Sequence, residues 1–320
     1  MNRAMKISRL VFLYSWLCFS LKSQSLADSS SIKLLYSIQY RSDSVFKLKP
    51  GSARDSLHTE LLNLWDQLIA CNRPMELPWD SLKKHYSVLI SPDRLLMVIS
   101  WNLPQSQDLD HYFGYIVKVP IHRNNFFGLK RRKRMENEPN RPVISKLQEQ
   151  TLWHKTKPEF FLGNKASWPG MLYTALIPCD SYYLLLGWNA KNRYSQFKCI
   201  EVLWFDSKQE PVFGKNVFKI PKKNPKRLVF EYSKEAQMSL RFDPGQNRII
   251  YSHLGPVDEN PAMTGQFAFY GPDGSFDALN EHDNRWILEE AIDVRNKRNK
   301  NDYAPKPNHT EEIQLYPRNK

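Results

Sequence analysis

The sequence predicts a mostly β fold, an antiparallel meander forming a sandwich or partly closed barrel, with an N-terminal amphipathic helix packed on it. Three observations carry this. From Pro78 onward, short apolar and aromatic runs alternate with turn residues at close, regular spacing. Ahead of them, Leu57, Leu61, Leu64 and Leu68 recur at four, three and four residues, which is one face of a helix. No fixed-period repeat runs along the chain, and about a dozen strands are too few for propeller blades of four.

The chain opens with Arg3, Lys6 and Arg9 and no acid among them, then the apolar run Leu10–Leu21, then small residues. Ser25-Leu26-Ala27 fits the small-x-small rule of a secretory cleavage site, and Ser23-Gln24-Ser25 is a second choice. The run has 12 residues, whereas a spanning helix needs about 20. Residues 1–27 therefore read as a cleavable signal peptide and the rest as a chain without a transmembrane segment. Cys18 sits inside the run without the small residues that a lipid-attachment site needs. Removing Arg3, Lys6, Arg9 and Lys22 lowers the formal charge from +13 to +9. The balance stays basic, which favours an anionic envelope component as partner, lipid headgroup or acidic polysaccharide, or serves solubility alone. Nucleic acid is a poor candidate for an exported protein.

Residues 28–77 form an N-terminal helical region. Ile32, Leu34, Leu35, Tyr36 and Ile38 suit either a helix or a strand, and Lys49-Pro50-Gly51-Ser52 is a break. A helix over 55–71 follows, with Trp65 and Ile69 widening its stripe, Asp55 at the positive end of its dipole and Arg73-Pro74 past its end. Such a stripe packs on its own domain more readily than on a foreign partner.

The β-rich domain spans 78–296. Runs at 86–90, 95–101 and 112–119 open it, the first two joined by Ser91-Pro92-Asp93-Arg94. Further runs fall at 171–177, 182–188, 199–205, 212–218, 227–232, 238–242, 248–253, 266–270 and 286–292. Gly271-Pro272-Asp273-Gly274 reads as a turn, and Gly187, Gly245 and Gly274 as turn positions with unusual backbone angles. Residues 121–170 make a long loop that holds the basic run Lys130, Arg131, Arg132, Lys133 and Arg134, with a short strand at 143–147 inside it. Adjacent like charges stay hydrated, so a solvated loop is the bland reading and phosphate docking the sharp one. Residues 297–320 form a polar tail.

Catalytic signatures are missing from the string. There is no Gly-x-Ser-x-Gly, no His-Glu-x-x-His, no phosphate-binding loop and no Cys-x-x-Cys. The eight histidines are scattered without ligand spacing, so neither metal nor cofactor is expected. Asp273, Ser275 and Asp277 alternate as in a calcium loop, but Ala278 and Asn284 stand where Gly and Glu belong, so turn chemistry is the better account. Cys71, Cys179 and Cys199 read as small buried hydrophobes, since a strand over 182–188 would hold the latter two apart. The aromatic residues fall mostly within strand runs, where they fill a core more often than they line a sugar site.

Pro78-Trp79-Asp80-Ser81-Leu82, Trp101-Asn102-Leu103-Pro104, Leu185-Leu186-Gly187-Trp188-Asn189, Ser239-Leu240-Arg241-Phe242-Asp243, Tyr270-Gly271-Pro272-Asp273-Gly274-Ser275-Phe276-Asp277-Ala278 and Asp293-Val294-Arg295-Asn296 give the domain its texture. Over residues 78–296 this string resembles a family of uncharacterised exported, β-rich envelope proteins of Gram-negative bacteria. The resemblance implies a periplasmic, outer-membrane-associated or secreted location, and it carries no catalytic residues. The expected function is a non-catalytic envelope protein with a binding or scaffolding role. The alternatives are a hydrolase acting on an envelope polymer or glycan, and a carbohydrate-binding module. For the hydrolase, the fold would have to bring together two or more of Glu231, Asp273, Asp277 and Asp293, the carboxylates in or beside the recognisable turns and strands.

Overall fold

The computed structural model describes residues 29–105, 110–120, 142–150, 157–190, 192–221, 223–257 and 261–294. The signal peptide expected at 1–27, the basic run at 130–134 and the tail at 297–320 lie outside them.

Two helices come first. Helix α1 (Ser29–Val45) buries Leu35, Ile38, Ser42 and Val45, and α2 (Ser52–Ile69) buries His58, Leu61, Trp65, Leu68 and Ile69. The segment that suits either helix or strand is thus helical. Its Leu34-Leu35-Tyr36 run spoils a period of two, while Leu35, Ile38, Ser42 and Val45 share one helical face against α2. Helix α2 begins three residues ahead of Asp55, directly after the Pro50-Gly51 break.

The strands form three sheets. In the first, β1 (Ser87–Ile90), β2 (Leu96–Pro104), β3 (Asp110–Lys118) and β4 (Val143–Leu147) make an antiparallel meander in chain order. The second takes β5 (Gly163–Asn164), β6 (Leu172–Pro178), β7 (Tyr183–Asn189), β8 (Ser195–Phe205) and β9 (Pro211–Phe213) in the spatial order β5-β9-β8-β7-β6. The chain then crosses to a third sheet with β10 (Phe218–Lys219) and returns to pair β11 (Leu228–Ser233) with the first half of β8. The third sheet is completed by β12 (Leu240–Asp243), β13 (Arg248–Pro256), β14 (Tyr270–His282) and β15 (Arg285–Glu289), in the order β10-β15-β14-β13-β12. All named pairings are antiparallel except the two-residue β10–β15 ladder. No sheet closes into a barrel, so the sandwich is the architecture.

Side-chain alternation stacks these layers. On β2, Met97, Ile99, Trp101 and Leu103 face the helices, while Leu96 and Val98 face the second sheet. On β7 and β8, Leu185, Phe197, Cys199 and Leu203 join that same inner core, while Leu184, Leu186, Ile200 and Val202 face the third sheet with Ile249, Tyr251, Leu279 and Trp286. The second sheet is therefore buried on both faces. Its strands read as continuous apolar runs such as Leu184-Leu185-Leu186 for that reason. Under the helices, Trp65 stacks on Trp79 at 5.9 Å and on Trp101 at 5.8 Å, so the tryptophans there fill the core.

Several local expectations are corrected. Residues 266–270 form a helical turn at Phe267–Phe269 rather than a strand. The 212–218 run is split between two sheets at Gly214, whose φ of 101° suits only glycine. Gly271 to Gly274 does not reverse the chain but lies inside β14, the longest strand. There Asp273, Gly274 and Ser275 together oppose His253, between the pairs Leu254–Pro272 and Ser252–Phe276, as an enlarged bulge. Asp273 Oδ1 accepts from Ser275 N at 2.9 Å, and Gly274 takes φ 97°. The turn chemistry is real, and the strand absorbs it. Gly187 and Gly245 keep ordinary φ, whereas Asn247 supplies the positive φ of 47° in the 243–248 turn. A Cβ on Gly187 would stand 3.1 Å from the Tyr173 ring, so close packing explains that glycine. Cys71, Cys179 and Cys199 are free thiols, the last buried and the others half-buried.

Candidate functional site

Strands β1 and β6 are the terminal strands of the first and second sheets and pass close to each other. Beyond Ser87, the partner of Ser100, β2 runs on to Pro104 without β1 beside it, because the chain at 83–86 has turned away. The vacated position is a cleft of about 590 Å³. That size falls within the range of small-molecule sites.

Its apolar walls come from Phe46 after α1, from Val88 and Leu89 of β1, and from Leu172 of β6, while Tyr173 borders it with its ring wholly buried in the inner core. Ser87, Asn102 and Thr174 add polar groups, and Lys83, Lys84 and His85 form one wall. Among the described residues, no carboxylate lines it. The cationic wall is held from behind by Asp43 of α1. Lys84 Nζ lies 2.6 Å and His85 Nε2 2.9 Å from Asp43 Oδ1. These hydrogen bonds, His85 first, hold the Asp43 carboxyl down at about 2, so it stays ionised across the physiological range. The His85 ring stacks on Phe46 at 4.4 Å and 10°. Lys83 pairs with Asp80 at 2.6 Å, and with both side chains exposed this contact is easily exchanged for another anion. The floor is fixed from the other side, where Ser100 Oγ accepts from Tyr173 N at 2.9 Å and ties β6 to β2.

The carboxylates anticipated for a hydrolase do not share one partner. Asp273 and Asp277 flank His253, whose Nδ1 is 2.8 Å from Asp277 Oδ2 and whose Nε2 is 4.0 Å from Asp273 Oδ2. Asp277 is buried, and its Oδ1 accepts from Ala291 N at 3.0 Å. Its hydrogen bond lifts the His253 imidazole above its ordinary range. Glu231 stands on β11 in a different sheet and accepts from Ser195 Oγ at 2.7 Å. Asp293 is exposed in the segment after β15.

Another carboxylate is the more perturbed. Glu149, on the extended segment after β4, accepts from Tyr112 N at 2.9 Å. Burial pushes its carboxyl up to about 7, with the charge of Asp110 adding to that and the Tyr112 bond opposing it. Gly170 makes room for it, since a Cβ there would lie 2.7 Å from Glu149 Oε1. No sequence motif marks this residue. Among the described residues, no group of three or more His, Cys, Asp or Glu is arranged to hold a metal ion.

Comparison with protein-family models, with curated proteins and with solved structures returned no match. The site therefore rests on its own geometry. Lys83-Lys84-His85 is visible in the sequence as a small basic group before the first strand run. Leu172, Tyr173 and Thr174 carry no local mark, and only the packing of β6 against the first sheet brings them to the cleft.

Proposed function

We propose that this chain is a non-catalytic exported envelope protein that binds an anionic amphiphile, a molecule with an acyl-like tail and a negatively charged head. The observation that carries the reading is the cleft between β1 and β6, with apolar walls, one wall of Lys83, Lys84 and His85, and no lining carboxylate among the described residues. The tail would lie over Phe46, Val88, Leu89 and Leu172, where its burial is worth about 0.8 kcal/mol per methylene. The head would take charge-assisted hydrogen bonds from the two lysines. The basic balance of the chain and its resemblance to exported envelope proteins agree with an anionic partner met outside the cytosol.

The test is displacement of a fluorescent fatty acid from the purified protein, by an unlabelled fatty acid and by a monoacylglycerol of the same chain length. The acid should compete better, and Lys83→Glu with Lys84→Glu should weaken the acid by about tenfold or more while leaving the neutral lipid unchanged. Equal competition by the two lipids would sink the reading.

A hydrolase remains the second reading, favoured by the buried Asp277 that orients a half-exposed His253 as a general base is oriented. It requires that purified envelope glycan be cleaved by the protein and not by the His253→Ala variant. Absence of cleavage by the native chain rejects it.

A further inference from the structure

The outer face of α1 has a composition that the core does not explain. Lys33, Tyr36, Ser37, Tyr40 and Ser44 are exposed, and the turn that follows the helix adds Lys47 and Leu48. At 100° per residue these positions fall in one stripe, opposite the buried Leu35, Ile38, Ser42 and Val45. Tyr40 is 80% and Tyr36 60% exposed, the highest and third-highest values among the exposed large hydrophobic side chains. A buried role for either ring is therefore excluded. Among the described residues, Lys33, Lys47 and Lys49 make no ion pair. Phe46, which lines the cleft, follows Val45 in the chain but packs toward the core rather than along this stripe.

We infer that this face of α1 docks on an anionic lipid bilayer. Tyrosine suits the headgroup level, where its ring meets the acyl boundary and its hydroxyl stays wet. Lysine stems lie along that boundary while their ammonium groups reach the phosphates. Two lysines of this face without carboxylate partners among the described residues complement a negative surface, and two aromatic rings add shallow insertion that charge alone would not supply.

The test is co-sedimentation of the full chain, purified from the fraction in which cells keep it, with two vesicle preparations. One is phosphatidylcholine alone and the other phosphatidylcholine with phosphatidylglycerol. The native chain should partition preferentially to the anionic vesicles, and raised salt should release it. Each of Lys33→Glu and Lys47→Glu should weaken partitioning by about fivefold. Tyr36→Ser with Tyr40→Ser should weaken it without altering its salt dependence. All four positions are exposed, so melting temperature should stay at the native value and verify folding. Equal binding to both vesicle types overturns the inference, because an apolar anchor elsewhere would produce that result. Native binding by the tyrosine and lysine variants overturns it too. The Lys83→Glu, Lys84→Glu protein separates the two proposals, since it should lose fatty-acid affinity while keeping vesicle affinity. If it keeps both, the cleft reading fails and the docking face stands.

Discussion

Arg227 Nε donates to Glu201 Oε2 at 2.7 Å with both side chains wholly withdrawn from solvent. Glu201 points from β8 toward the first sheet, and Val202 N also donates to its Oε1 at 3.0 Å. The guanidinium does more than neutralise it. Nη1 donates to the carbonyls of Pro158 at 2.5 Å and Phe161 at 2.7 Å, and Nη2 donates to that of Phe213 at 3.2 Å. One side chain thus pins the 158–161 segment to β9 and to the core. Replacing Arg227 with Gln strands a buried carboxylate and three carbonyls, and should cost about 3–5 kcal/mol. A fall in the urea midpoint at unchanged slope measures it, and a loss below about 1 kcal/mol would show that water reaches the pair.

Glu149 gives stability an unusual pH slope. Its carboxyl sits at about 7 in the fold against an ordinary value of 4.5, with burial as the main cause. Between those values the native state holds a proton that the unfolded chain has released, so this group's contribution falls as pH rises through the window. The Glu149→Gln variant should lose that slope. Melting curves recorded across the window for both proteins compare the two, and parallel curves would contradict the assignment.

His58 acts in the opposite direction. Burial first, then the charge of Arg54, lowers its imidazole to about 4 from 6.5. Its Nε2 accepts from Trp101 Nε1 at 3.2 Å, which only the neutral ring can do. Its contribution is present above the unfolded value and is lost as pH falls toward 4. Acid should therefore change the environment of Trp101 before the third sheet responds. Tryptophan fluorescence followed with pH should show an early step that His58→Phe abolishes. Persistence of the step in that variant would assign it elsewhere.

Gly274 has open space around its Cα, yet its φ of 97° excludes a β-branched residue. Gly274→Val should cost about 1–3 kcal/mol, against less than about 0.5 kcal/mol for Ser207→Ala on the exposed 206–210 turn. Equal melting temperatures for the two variants would count against the strained bulge.

Much of this architecture is legible in the order of the residues alone. The strand runs at 86–90, 95–101, 112–119 and 143–147 coincide with the first sheet because each is bounded by its own turn residues. Helix α2 is legible because its stripe is long and periodic. The failures are physical. Helix α1 is settled by burial against α2, which a short apolar run does not reveal. The 270–274 segment contains every local sign of a reversal, but its neighbours Leu254 and Ser252 hold the strand on either side of it. Asp273 and Asp277 stand out in the sequence through their place in that segment, yet the feature that gives them chemical interest is His253, contributed by another strand. Glu149 and the β6 wall of the cleft are invisible to local pattern for the same reason. Each owes its setting to residues distant in the chain, Tyr112 and Gly170 for one and Ser100 for the other.

Because the second sheet serves as the inner wall of two cores at once, neither neighbouring layer can detach without uncovering Leu185 and Phe197 on one side or Leu184 and Ile200 on the other. Heat should consequently dismantle the three sheets in one cooperative step, seen as a single calorimetric peak. A cavity opened at Cys199 or Ile200 would then be felt by the whole assembly, so tolerance to substitution should fall from the rim strands inward to β7 and β8.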